Sequence, residues 1–492
     1  MARLTAAEAA HAVNGRIVAG DPARECSGAA IDSRAVHGGE VFFAFAGART
    51  DGHRFLPDAF ARGAGAAVVQ RGHERSDGSV GSTGSTGAVI EVDDTFRALH
   101  DLARHVRLRV PQKLIGLTGS IGKTTTKELL AAMLSARFRV AWTPGNLNNL
   151  YGFPLSLLNV PDGTEWMVAE MGMSEPGELR QLSLLGRPDA VVFTVVRPVH
   201  LEFFDSVRGI AEAKAELLAG LAAGGFLIAN ADDPEVARIA SRHAESPGWH
   251  GRLVWYGVDS PAAEVRGRDV VPAPAGEVGS RFRLEAGFGA GTGSVEVRLP
   301  IHGLYNGQNC LAAAACAWAL GVSLPEIAEA VRGVRSASMR GEVHRVDGPR
   351  GAFTLVDDSY NSNPAAVAGA LESAAHLPAE RRLAVLGDML ELGPTGPAFH
   401  RESGATAARL GFSPVAGVGE LSRELVAGAR AAGAETVWFP DAAAAAEWAA
   451  AEVREGDLVL VKASRGVKLD AVVRRLIHSA ERSAVRAGEG RA

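Results

Sequence analysis

Residues 117–129 read LTGSIGKTTTKEL, in which an apolar run gives way to a glycine turn, a lysine and consecutive threonines. Gly119, Ser120, Ile121, Gly122, Lys123, Thr124 and Thr125 suit an anion. Glycines let backbone N–H groups come close, a helix N-terminus adds partial positive charge, and Lys123 adds a full one. The Thr124 hydroxyl is the kind of oxygen that holds Mg²⁺ beside phosphates. Against the spacing G-x-x-x-x-G-K-[ST], Leu117 replaces the first glycine, leaving Gly119-x-x-Gly122-Lys123-Thr124. A helix-capping turn alone would account for glycine and threonine, but not for strand, glycines, lysine and hydroxyl in this order. The pattern points to a bound nucleotide; it does not by itself name a reaction.

Three further residues could join this site. Glu170 ends the apolar run WMVAE, and in a parallel sheet the carboxyl ends of strands face the ligand crevice. A carboxylate there can complete the oxygen shell of a hard cation. His200 follows AVVFTVV by a few residues, again near a strand end, and Lys214 lies in the helical stretch GIAEAKAELL. Taken singly, a structural histidine and a solvated lysine are the ordinary explanations.

Apolar strands alternating with helices position these groups. KLIGLTG, WMVAEMG, AVVFTVV and FLIANAD read as strands of a parallel sheet covered on both faces. From about 255 to 300, RFRLEAGF and SVEVRLP alternate instead, which predicts an antiparallel appendage. LAAAACAWALGV and LPEIAEAVRGV are helices that close this central domain. The last third restarts the alternation with FTLVDDS, RLAVLGD, SPVAGVG, TVWFP and DLVLVKA, a second α/β domain of about 155 residues. Residues 1 to about 108 form a small α/β unit with strands AAVVQ and AVIEV; the Gly/Ser-rich SDGSVGSTGSTG between them is expected to be a flexible surface loop. The polar tail from about 479 is expected to fray. The expected domains are 1–108, 109–334 and 335–492.

Length and composition agree with this plan. A chain of 492 residues exceeds one hydrophobic core, and 47% hydrophobic with 22% charged residues is ordinary for a globular protein. The formal charge of −5 offers no broad basic field, so nucleic acid is not an expected partner. Cys26, Cys310 and Cys316 show no metal-ligand spacing, and the latter two are expected in the core. The N-terminal stretch lacks the apolar run of a signal peptide, and the longest apolar run is too short for a bilayer. A cytoplasmic protein without membrane insertion is expected.

The order TGSIGKTT, AEMG, HLEFF with AKAE, GLYNGQN, MRGE, VDDSYNSNP, VLGDMLELG and LVKASRG resembles the Mur ligase family, ATP-dependent amide ligases of peptidoglycan precursor synthesis. The resemblance covers nearly the whole chain, and the family's own phosphate loop is shortened in the same way. It implies an α/β fold of three domains: a small N-terminal unit that grips the UDP end of the precursor, a central P-loop ATPase domain and a C-terminal Rossmann-like domain. DDSYNSNP and LGDMLELG are similar to the branch that adds D-alanyl-D-alanine to UDP-N-acetylmuramoyl-tripeptide.

Residue roles follow from the resemblance. Lys123 and the loop glycines would cradle the β- and γ-phosphates, and Thr124 and Glu170 would hold a first Mg²⁺. His200 and Lys214 would serve a second, the lysine as a carbamate (N6-carboxylysine). Asn306 and Asn309 would lie on the adenine side, and Arg340 and Asp358 would close over ATP. Ser33 and Arg34 would meet the uridine diphosphate, and Asn146, Asn148 and Asn149 the muropeptide; Tyr360, Asn361 and Asn363 are dipeptide candidates. A monomer is expected. The chain departs from the family pattern at Val195, Tyr305, Ala463 and Leu150, where asparagine, histidine, glycine and an acid are usual. The competing expectations are a Mur-type ligase adding another amino acid, a P-loop small-molecule kinase, and a nucleotide-dependent switch.

Overall fold

The computed structural model describes residues 3–47, 50–73, 87–199, 202–204, 206–274, 277–287 and 291–489. Its centre is a nine-stranded sheet. From one edge the strands run Val140–Trp142, Trp166–Glu170, Lys113–Thr118, Ala190–Phe193, Phe226–Asn230, Arg252–Gly257 and Val265–Pro272, all parallel. Ser280–Ala286 and Gly293–Leu299 continue it antiparallel. The expected antiparallel segment is therefore present, but as an extension of the central sheet and not as an appendage. Val265, Phe282, Leu284 and Val297 turn inward and share one core with the helix Asn306–Ala319. That shared apolar face keeps them in the sheet. Cys310 and Cys316 lie in the same core.

Register brings the chemistry to one edge. Glu170 pairs with Leu117, and Phe193 with Thr118, so three neighbouring strands end level with one another. The turn after Thr118 opens directly into the helix Lys123–Leu134.

The C-terminal sheet has six strands, in the order Glu342–Gly348, Gly351–Asp358, Asp457–Lys462, Arg381–Gly387, Phe412–Val418 and Thr436–Phe439. The first pair is an antiparallel hairpin and the rest are parallel. The N-terminal unit has a five-stranded sheet that includes Ala66–Gln70 and Ala88–Val92 as expected. Most of the Gly/Ser-rich stretch between them lies outside the described residues. The last helix runs from Asp470 to Glu489, past the point where the tail was expected to fray; its alanines, arginines and glutamates are good helix formers. No helix among the described residues is long and apolar enough to cross a membrane.

The cores are unequally shared. One cluster joins N-terminal residues such as Leu4, Val68, Leu99 and Val106 to central ones such as Phe153, Met171 and Leu182. The helix Thr95–Arg107, capped by Asp94, carries much of this junction against Gly152–Leu158 and Glu178–Gly186. The two clusters on the faces of the C-terminal sheet contain only C-terminal residues.

Candidate active site

Two glycines permit the turn at 119–122. A Cβ on Gly119 would lie 1.8 Å from Thr194 Oγ1, and one on Gly122, at φ +85°, would lie 2.0 Å from Asn309 Oδ1. The loop is fastened from the neighbouring strand end. Ser120 N donates to Val195 O at 2.7 Å, and Thr194 Oγ1 to Ile121 O at 2.7 Å. Val195, one of the departures from the family pattern, thus contributes through its backbone.

Lys123 folds back so that Nζ donates to Gly119 O at 2.9 Å. Burial lowers its pKa from the ordinary lysine value; Glu170 opposes that shift and Arg340 adds to it. Thr124 Oγ1 donates to Glu170 Oε2 at 2.8 Å, and Asn148 Nδ2 donates to Glu170 Oε1 at 2.8 Å. Glu170 is 2% exposed, and both of its oxygens face the cavity groups. A hydroxyl and a carboxylate side by side form an all-oxygen donor set of the kind a hard divalent cation takes.

Lys214, on the helix Val207–Ala215, is 2% exposed, and its ammonium has no hydrogen-bond or ion-pair partner among the described residues. Burial, with the charge of Lys123 added, lowers its pKa well below the ordinary value. The neutral amine is the form that combines with CO₂, so the site suits a carbamate. His200 lies outside the described residues.

Asn306 and Asn309 are buried and mutually bonded: Asn309 Nδ2 donates to Asn306 Oδ1 at 2.8 Å, and Asn306 Nδ2 to His302 O at 2.7 Å. From the C-terminal domain, the Arg340 guanidinium stacks on Tyr360 at 4.1 Å. Asp358 accepts from Lys462 Nζ at 2.7 Å, and that ammonium also donates to Asn361 O at 2.9 Å.

One cavity of about 550 Å³ gathers these groups. Ser120 to Thr125, Asn146, Asn148, Asn149, Glu170, Lys214, Asn306, Asn309, Arg340, Asp358, Tyr360, Asn361 and Asn363 all line it. Gly119 is not among the lining residues, although its carbonyl accepts from Lys123 Nζ. Ser33 and Arg34 do not line it: Ser33 is buried in the N-terminal unit, and Arg34 is held by Asp32 at 2.6 Å. Lys462 was missed by sequence reasoning, although a lysine ending the strand DLVLVK carried the same strand-end signal as Glu170. Leu390 and Glu391 were missed too. They border an adjoining cavity of about 220 Å³ with Ser120, Lys123, Asn361 and Arg465, and Glu391 stands at φ +64°.

A shortened phosphate loop on a parallel sheet, facing a second α/β domain across one cavity, defines the class. Sequence models of the Mur ligase family match residues 25–107 (Mur ligase family, catalytic domain), 117–317 (Mur ligase middle domain) and 339–465 (Mur ligase, glutamate ligase domain). The chain belongs to the Mur ligase family. Within it, the chain is 33% identical to the UDP-N-acetylmuramoyl-tripeptide--D-alanyl-D-alanine ligase of Bacillus subtilis, over 92% of this chain and 93% of that protein. A crystal structure of MurF from Acinetobacter baumannii superposes with a TM-score of 0.81 at 28% identity, covering 97% of this chain and 99% of that one. MurF ligase from Thermotoga maritima, in complex with ADP, gives 0.74 at 27% identity over 93% and 98%.

Proposed function

We propose that this protein joins D-alanyl-D-alanine to UDP-N-acetylmuramoyl-tripeptide at the expense of ATP, giving the pentapeptide precursor of peptidoglycan, ADP and phosphate. The observation that carries this is the single cavity lined by the phosphate loop, Glu170 and Lys214 on one side and by Arg340 and Asp358 on the other. The named relatives of similar length support the choice of substrates.

A carboxylate cannot be attacked productively by an amine, because oxide is a very poor leaving group. Transfer of the γ-phosphoryl group to the tripeptide's terminal carboxylate makes an acyl phosphate and releases ADP. The dipeptide amine then attacks the acyl carbon, loses a proton, and phosphate departs as the amide forms. Phosphoryl transfer needs mainly positioning and neutralised charge. Lys123 and the N-terminus of its helix supply both at the phosphates. Arg340 and Asp358 close the nucleotide from the C-terminal side, with Lys462 fixing Asp358. Asn306 and Asn309 border the adenine side, and Asn146, Asn148 and Asn149 the passage of the muropeptide. Tyr360, Asn361 and Asn363 lie where the dipeptide would approach.

Thr124 and Glu170 would hold one Mg²⁺, and a carbamylated Lys214 together with His200 would hold a second. Bound Mg²⁺ would neutralise charge on the phosphate oxygens. The division 1–108, 109–334 and 335–492 assigns the uridine diphosphate, with Ser33 and Arg34, to the N-terminal unit. A monomer in the cytoplasm is the proposed working form.

The test is ADP release in the presence of ATP and Mg²⁺. Turnover should require both UDP-N-acetylmuramoyl-tripeptide and D-alanyl-D-alanine, with a joined pentapeptide by mass. Free diaminopimelate, lysine and glutamate should not replace the dipeptide. ADP release with one organic substrate alone, giving a stable phosphorylated product, would identify a kinase and end this assignment.

A further inference from the structure

Lys127 lies one turn beyond Lys123 on the helix Lys123–Leu134 and is 0% exposed. Its Nζ donates to Thr143 O at 2.7 Å and to Gly145 O at 3.0 Å, and pairs with Glu128 at 3.1 Å. Burying a cation carries a large desolvation cost, and leucine or methionine would fill similar space without it. The lysine therefore supplies something an apolar side chain cannot, namely donors for two carbonyls in a stretch with no helix or strand.

That stretch encloses Glu170. Thr143 Oγ1 accepts from Glu170 N at 2.8 Å, and Asn148 Nδ2 donates to Glu170 Oε1 at 2.8 Å. Gly172 N donates to Asn148 O at 2.8 Å, closing the loop onto the segment after the strand. Asn146, Asn148 and Asn149 line the cavity from it, with Asn149 Oδ1 accepting from Tyr151 N at 3.1 Å and Gly152 N at 2.8 Å. The glycine turn that faces phosphate is held separately, by Thr194, Val195 and Asn309.

We propose that Lys127 is a positioning residue for the muropeptide: it pins the carbonyls of Thr143 and Gly145, and thereby sets the asparagines of the loop against Glu170. The proposal rests on the ligase function above, and it separates muropeptide affinity from nucleotide affinity within one cavity.

The experiment compares wild type with Lys127→Met, which removes the donors, and Lys127→Gln, which keeps an N–H donor without charge. Binding of UDP-N-acetylmuramoyl-tripeptide and of a non-hydrolysable ATP analogue is measured separately by calorimetry, alongside steady-state KM. For Lys127→Met, Kd and KM for the muropeptide should rise about tenfold or more while Kd for the analogue stays within about twofold, with Lys127→Gln in between. Equal weakening of both ligands, unchanged muropeptide binding, or failure of both variants to fold would overturn it; in the last case Lys127 would be a general stability element. A wild-type protein that neither binds the muropeptide nor joins it to the dipeptide would instead sink the functional assignment, and that arm is read first.

Discussion

Gly122 combines a left-handed backbone with a Cβ position already occupied by Asn309. Gly122→Ala should therefore cost about 1–3 kcal/mol of stability and weaken ATP-analogue binding about tenfold or more, because Asn309 must move from its place beside Asn306. Thermal melts and calorimetry on the same preparation would check both. At Lys214, alanine should lower ADP release by about a hundredfold or more, and added formate or acetate should restore part of it by returning a carboxylate. Full turnover by the unsupplemented variant would end the carbamate assignment. The phosphate loop and Glu170 were legible in the sequence because strand, turn and helix follow one another locally. The work of Lys127 was not legible, since its partners are backbone carbonyls further along the chain and carbonyls leave no trace in a sequence.

Elements hold these residues through their ends. Asp233 caps the helix Pro234–Ala244, accepting from Glu235 N and Val236 N, and also receives Val196 N at 2.9 Å and Arg197 Nη1 at 2.7 Å from the segment beside the phosphate loop. Asp233→Ala should cost about 1–3 kcal/mol and loosen nucleotide binding, measured by denaturant titration and analogue affinity. His302, just before the helix Asn306–Ala319, is buried with no hydrogen-bond partner for Nε2 among the described residues. Burial, with His376 adding to it, pushes its pKa down to about 4. Unfolded histidine titrates near 6.5, so between these values the unfolded chain binds the extra proton and stability rises with pH. His302 should contribute a loss of up to about 3 kcal/mol as pH falls through that window. Burial also lowers the pKa of His100, His243 and His400, so His302→Leu should lose less than wild type by that share; denaturation midpoints across pH 4–7 would show the difference. Strand identity was readable from apolar runs, but strand order was not. Crossover helices place Lys113–Thr118 between two strands that come later in the chain, and periodicity carries no information about neighbours. The edge strand Glu342–Gly348 was missed because EVHRVDG is too polar to stand out.

At the scale of the molecule, the C-terminal domain has cores of its own yet lends Arg340, Asp358 and Asn361 to the shared cavity. It should move as a body, and small-angle scattering should report a more compact particle once ATP analogue and muropeptide are both bound. Superimposable curves would contradict this. The three-domain plan was visible in the sequence as two restarts of the strand–helix alternation. The fusion of the first two units was not, because the helix Thr95–Arg107 belongs to one by sequence and packs on both. That fusion has a consequence for substrate choice. On the proposed function, the uridine end and the phosphate loop belong to units joined by one shared core, and the span between them would act as a fixed ruler for the donor. Variation confined to the separately folded third unit can then change which amine is accepted without recalibrating that length.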